Sequence, residues 1–566
     1  MISVLVLVTI AIFAVAYVTY GRFLARQMDL RDNYKTPAHE INDGLDYVPA
    51  RAPLLLGQHF SAIAAAGPIV GPILAALAFG WLPTWLWIIL GAIFIGGVHD
   101  FAALTASVRH KAASIGEIAR QYLPGRTYIF FLIFIWLALV YVIVAFTDIT
   151  GQTFRAVAQG EAYGPGVAAS SILYLALALV MGVLLRFSKL KLWLLTAIFL
   201  PLVLLAVWIG PQLPAPVLDS FARVSAKQWD VFLLIYCFVA SIIPMWLLLQ
   251  PRGYLGGWLL YLTILIGLAG ALFGGFVIQA PPFNIVGLKS LANGSLLFPF
   301  LFITVACGAC SGFHAIVSSG TTSKQLNKET DARPIGYGAM LLEGVVAVLA
   351  LATVIMIKPE SEQLKMDPNL IYANGLASYL GLLGVRFGVA FPFALLAFST
   401  FVYDTLDVST RLARYIFQEL TGWRGWAGGC LATAVSLAAP LVFLLATEEK
   451  AYKLAWPIFG TSNQMLASLT LLAISGWLIG SGKRAYYAVA PMVFMLVTTM
   501  VALVLQVQPF LTALPGLLRG KTTVPTDVII SGVCGAILLV LGGLSALFAG
   551  RALLAYSAQR AAKVPS

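Results

Sequence analysis

Charge is what this sequence has least of. Of 566 residues only 10% are Asp, Glu, Lys or Arg and 60% are hydrophobic, whereas a soluble domain carries roughly 25% charged residues. So little charge cannot cover a globular surface; a soluble enzyme or binding module is excluded, and the mean hydropathy of +0.92 indicates a polytopic membrane protein. Acidic residues are the scarcer sign, 23 against 35 basic, for a net charge of +12. That excess does not argue for nucleic acid, because Lys and Arg collect in the cytoplasmic loops of membrane proteins. Cysteine is scarce too: Cys237, Cys307, Cys310, Cys430 and Cys534 all lie in apolar runs, and an odd number so placed is no disulfide framework. Cys307 and Cys310 have CxxC spacing but no second pair, and buried thiols ordinarily pack as small hydrophobes. The motifs GxxxxGK[ST], HExxH and GxSxG are missing, which disfavours ATP-driven transport and hydrolysis. No catalytic residue, metal set or cofactor is assigned. The N-terminus lacks the basic start and cleavage motif of a signal peptide and reads as a retained first helix.

What is present is a series of apolar runs near 20 residues long, the length of a membrane crossing. About fifteen spans are expected: 2–21, 54–80, 84–108, 127–148, 166–186, 190–210, 231–250, 255–280, 298–320, 336–357, 385–405, 426–447, 463–480, 486–507 and 527–549. With the N-terminus outside, the cytoplasmic segments hold 24 of the 35 Lys and Arg, as the positive-inside rule requires. The expected orientation is N-out/C-in. The longest outer loops, 211–230, 358–384 and 508–526, are too short for a separate domain.

The chain reads as organised around 54–80, where Gly67-Pro68 and Gly71-Pro72 interrupt a run long enough to span. Proline removes a backbone donor and glycine adds freedom, so the helix should break here. In lipid, freed backbone groups are tolerated only against protein or a wet cavity, and a broken helix at mid-depth marks a binding site. Five spans later, 231–250 carries Ser241 and Pro244 near its middle. Two interrupted helices of opposite direction are what an inverted 5+5 repeat core requires. The expected division is a first helix and linker (1–53), the repeat core (54–405), and C-terminal accessory helices (406–566).

Half-helix ends favour an anion, so Gly67, Pro68, Gly71, Pro72, Ser241 and Pro244 are candidate solute contacts. A proline kink that only shapes packing is the plainer alternative. The polar run in 298–320 adds Ser311, His314, Ser318, Ser319, Thr321 and Thr322, although small residues also simply let helices approach. Ionisable groups within spans are functional candidates: His59, His99, Asp100, Asp148, His314, Glu343, Asp404 and Asp407. Histidine titrates near neutrality and suits a proton relay. Asp407 and Arg411 have the i,i+4 spacing of a helical ion pair, with Asp404 and Arg414 extending the cluster.

Five segments carry a family resemblance: DYVPARAPLLLGQHFSAIAAAGPIVGPILAA (46–76), GGVHDFAALTASVRHKAASIGEIA (96–119), ACGACSGFHAIVSSGTTSKQL (306–326), FVYDTLDVSTRLARYI (401–416) and AWPIFGTSNQMLASLTL (455–471). They resemble the carbon starvation protein A (CstA) family over most of the chain. The chain looks short beside larger members and has Gln58-His59 where many relatives carry two histidines. The resemblance implies a LeuT-like fold and uptake of peptides or pyruvate during nutrient limitation. It also places Gly67, Pro68, Gly71 and Pro72 in the family's broken-helix motif, and Ser311, His314, Ser318 and Ser319 in its SGFHAxxSSGTT motif.

The expectation is therefore an all-α secondary active importer of the bacterial inner membrane, moving a short peptide or pyruvate-like carboxylate together with H+. His59, His99, Asp100, His314, Ser318, Ser319, Glu343, Asp404 and Asp407 are its candidate coupling residues. A sodium-coupled transporter of the same fold is the alternative. A channel, and a membrane metalloenzyme using the histidines, Asp100 and the two nearby cysteines, stand behind it. The lipid bilayer is a partner, nucleic acid is not, and a homodimer built on the tail from about 426 is compatible with the sequence.

Overall fold

The computed structural model describes residues 1–43, 47–122, 125–284, 296–447, 449–518 and 526–561. Among them, twelve helices are long and apolar enough to cross a membrane, or fourteen if each of two bent pairs is one span. The only sheet among the described residues is a hairpin pairing Val157–Ala158 with Glu161–Ala162. Its turn residues Gln159 and Gly160 have positive φ, the conformation a two-residue hairpin needs.

The first bent pair is Ala52–Ile63 and Gly67–Phe79, which meet at 46°. The break falls at 64–66, just before the first Gly-Pro, and Pro68 starts the second half where an N–H has no helical partner. Gly71-Pro72, expected to break the helix as well, lies inside that second half. One missing hydrogen bond so near the start does not end the helix.

The 231–250 stretch is built differently from the expectation. Ala226–Ile242 ends at Ile243, Pro244 lies in a turn, and a new helix runs Leu249–Phe273. The helix that cracks against 52–79 is instead the polar one. Leu297–Thr304 gives way to irregular backbone over 305–311 before Gly312–Val317 resumes. That backbone is satisfied by neighbours, as a break within lipid demands. Trp87 Nε1 donates to the Val305 carbonyl (3.1 Å), Gln464 Nε2 to that of Phe302, and Phe313 N to Asn463 Oδ1 (2.9 Å).

Two boundaries also move. The helix Phe387–Thr421 runs unbroken through the expected core limit at 405. Tyr452–Gly480, expected among accessory helices and only from 463, is mostly buried and supplies Asn463 and Gln464 to the second break.

Candidate functional site

The two breaks touch. A Cβ added to Gly67 would lie 2.5 Å from Cys307 Cβ, and one on Gly71 would lie 2.6 Å from the Thr304 carbonyl. Both are closer than real atoms approach, so glycine at these positions is what lets the cracked helices meet. Pro68 packs beside Gly308 in the same contact. Ser311 flanks the second half-helix and is tied to Asn463, whose Nδ2 donates to Ser311 Oγ (3.0 Å). Cys307 and Cys310 are both buried and free.

On one side of the contact lies a buried histidine–carboxylate chain. His99 Nδ1 is 2.7 Å from Asp100 Oδ1, and His314 Nδ1 is 2.7 Å from Asp100 Oδ2. His314 Nε2 then lies 3.3 Å from Glu343 Oε2. All four side chains are fully buried, which brings together residues from three separate stretches of sequence. Neither Glu343 oxygen has a hydrogen-bond partner among the described residues, and nor has Ser318 Oγ. Ser319 Oγ is used structurally: it donates to the Ala315 carbonyl (2.7 Å) and accepts the Ile115 N–H (3.1 Å).

On the other side is a charged cluster centred on Arg252. Its guanidinium contacts Asp404 Oδ1 (2.9 Å) and Asp407 Oδ2 (2.6 Å). Ser61, at the end of the first half-helix, donates to Asp404 Oδ2 (2.5 Å), and Tyr236 donates to Asp407 Oδ2 (2.9 Å). The expected Asp407–Arg411 pair is replaced by this arrangement. Arg411 instead donates to the carbonyls of Ala240 (2.7 Å) and Ile243 (2.8 Å), and Arg414 to that of Ser241 (2.5 Å). They cap the C-terminal end of Ala226–Ile242, where free carbonyls and the helix dipole attract cations. Ser241 Oγ faces Thr433 (3.3 Å), so Ser241 and Pro244 belong to this cap and not to the contact between breaks.

His59 lies on the first half-helix and lines a small cavity together with Asp404. Its Nδ1 is 2.9 Å from Thr322 Oγ1 on the second broken segment. That cavity, of about 50 Å³, is lined by Gln58, His59, Gln250, Thr322 and Asp404 among others. A larger, apolar-walled cavity of about 420 Å³ also reaches Arg252, past Trp229, Tyr236 and Tyr403. Among the described residues no group of three or more His, Cys, Asp or Glu could hold a metal ion.

Sequence reasoning missed Arg252, Ser61, Tyr236 and Asn463. Arg252 falls between the spans expected at 231–250 and 255–280, yet it lies within Leu249–Phe273 and is 1% exposed. Two intramembrane aspartates four apart or fewer demand a counter-charge, and that demand was the available signal.

A family model described as carbon starvation protein CstA matches residues 1–374 and 364–502. The peptide transporter CstA of Helicobacter pylori (strain J99) is 34% identical over 576 residues, covering 89% of this chain and 82% of its own. The pyruvate/proton symporter BtsT of Escherichia coli K12 is 31% identical over 596 residues, covering 88% and 81%. The solved structure of a mutant manganese transporter from Eremococcus coleocola covers 91% of this chain and 99% of its own, at 14% identity and a TM-score of 0.46.

Proposed function

The chain belongs to the carbon starvation protein CstA family, and from that membership we propose a proton-coupled importer of small carboxylate-bearing solutes, short peptides or pyruvate, in the bacterial cytoplasmic membrane. It is a multi-pass membrane transporter and not an enzyme; relatives named for peptide transport and for pyruvate/proton symport bracket the substrate class. The observation that carries the mechanism is the contact between two cracked helices, flanked by buried chains of ionisable groups.

The inverted pair is 52–79 with 297–322, in an N-out/C-in arrangement of about fifteen crossings. A parallel order of elements supports this. Each broken helix is followed by a helix containing a π-turn (92–96, 333–338), then a short helix (Ile115–Tyr122, Pro368–Gly381), then a long one (Gly125–Thr153, Phe387–Thr421). The solute carboxylate binds at the Gly67 end of the half-helix. The Gly67–Cys307 packing leaves no room for it here, so loading requires the breaks to part, as alternating access does. The coupling proton resides on the His99–Asp100–His314–Glu343 chain, with His59 linking it to Asp404.

Counterflow in proteoliposomes tests the substrate class. Vesicles preloaded with unlabelled pyruvate, dipeptide or tripeptide should draw in the labelled form of the true solute, saturably. Equal, unsaturable entry of all three would favour a channel and sink the reading.

A further inference from the structure

One buried acid takes no part in either cluster. Asp230 lies one turn into Ala226–Ile242, after the capping box of Ser225 and Gln228. It is 1% exposed, and neither carboxyl oxygen has a hydrogen-bond partner among the described residues. Its carboxyl fits a notch in the neighbouring helix Gly125–Thr153: a Cβ added to Gly151 would lie 2.9 Å from Asp230 Oδ1. One turn along the same helix face stands Thr147, whose hydroxyl is fully buried and also without a partner. Three oxygens able to take a ligand therefore line the surfaces between two helices.

The charged groups that act on this point, Asp148, Lys227 and Glu449, also hold other partners. Asp148, on the facing helix, accepts the Tyr452 N–H (2.8 Å). Lys227, on Asp230's own first turn, donates to the Leu444 carbonyl at the end of Gly425–Ala446. Glu449, just beyond, pairs with Arg155 (3.2 Å). The long helix Phe387–Thr421 brings Asp404 and Asp407, which are held by Arg252.

We propose that Asp230 is a second proton-binding site, the carboxyl that takes up the proton at the outer end before it reaches the central clusters. A carboxylate left without partner or water is costly, and a proton on one oxygen removes that cost. A hard metal cation takes about six oxygens, more than two carboxyl oxygens and a hydroxyl supply. Tyr236 lies six residues further along the same helix, a rise of about 9 Å and about a third of the way round the helix from Asp230, and donates to Asp407. The step is protonation of a carboxylate oxygen and its reversal, with no other bond changed.

The inference rests on the proton-coupled reading, and one experiment separates the two. Uptake of labelled pyruvate or dipeptide into proteoliposomes is compared with and without an inward pH gradient. The ratio should exceed about tenfold in the wild type and fall to about one in Asp230→Asn, with uptake no longer following outer pH. A wild-type ratio of one would refute proton coupling itself. A wild-type ratio preserved in Asp230→Asn would refute only the Asp230 site. Should Asp230→Asn fail to reach the membrane, Asp230→Glu keeps the acid on a longer arm and should shift the pH midpoint of uptake; an unshifted midpoint would overturn the assignment.

Discussion

Arg252→Met removes the cation that both Asp404 and Asp407 contact while keeping an unbranched side chain of similar length. The guanidinium is 1% exposed and its carboxylate partners lie at 2.9 and 2.6 Å, themselves buried. Removing one partner of such a group leaves uncompensated charge in a medium that solvates it poorly, and costs about 3–5 kcal/mol. Replacing the whole charged set by uncharged side chains of similar volume leaves no uncompensated charge, and with hydrophobic replacements is neutral or stabilising in comparable cases. A triple variant, Arg252→Met with Asp404→Asn and Asp407→Asn, should therefore recover most of the loss. Its asparagines still accept from Ser61 and Tyr236, the donors now used by the aspartates. Unfolding midpoints of the three proteins in one detergent give the order: wild type and triple variant close together, the single variant well below both. A single variant as stable as wild type, or a triple variant no better than the single, would refute the charge argument.

Two further outcomes follow from contacts elsewhere. Gly67→Ala drives a methyl into Cys307; overpacking of this kind costs about 1–3 kcal/mol, and uptake should fall and then return in the double variant Gly67→Ala/Cys307→Gly. Normal uptake by Gly67→Ala alone would mean that the breaks need not touch. Asp367 lies outside the spanning helices, where burial raises its carboxyl but hydrogen bonds from Lys450 and Tyr452 and the charge of Lys453 outweigh it and hold the group below its usual value. A folded value below the unfolded one contributes stability above the ordinary carboxylate range of about 3.9, lost as pH falls through the lower folded value. The unfolding midpoint of the wild type should therefore drop toward that of Asp367→Asn as pH falls below the ordinary carboxylate value of about 3.9; parallel curves would remove Asp367 from the acid response.

How much of this the sequence revealed depended on whether a feature was local. The first break was legible because Gly67-Pro68 states it in the backbone itself. The second was not, because VACGACS contains no proline, and its irregular path is held by Trp87, Asn463 and Gln464 from distant helices. The prolines drew attention to 231–250 instead, where Pro244 only ends a helix. The histidines and acids of the buried chain were nameable one by one, since any ionisable group in an apolar run stands out. Their assembly through Asp100 was not, as it joins helices more than 200 residues apart. The i,i+4 rule misled at Asp407 because it describes exposed helix faces; inside the bundle an arginine from another helix competes better. The start of Tyr452–Gly480 was set too late for a related reason. Polar residues such as Thr461 and Ser462 look unfit for lipid, yet they face protein and are buried.

The most direct measurement is accumulation against a gradient. Purified protein in liposomes, given an inward pH gradient and no sodium, should concentrate labelled pyruvate or a dipeptide above equilibrium, saturably, and release it when a protonophore is added. His314→Ala, which strips Asp100 and Glu343 of the histidine between them, should equilibrate but not concentrate. Accumulation that needs sodium and ignores the protonophore, or a His314→Ala protein that concentrates solute like the wild type, would contradict proton coupling through this buried chain.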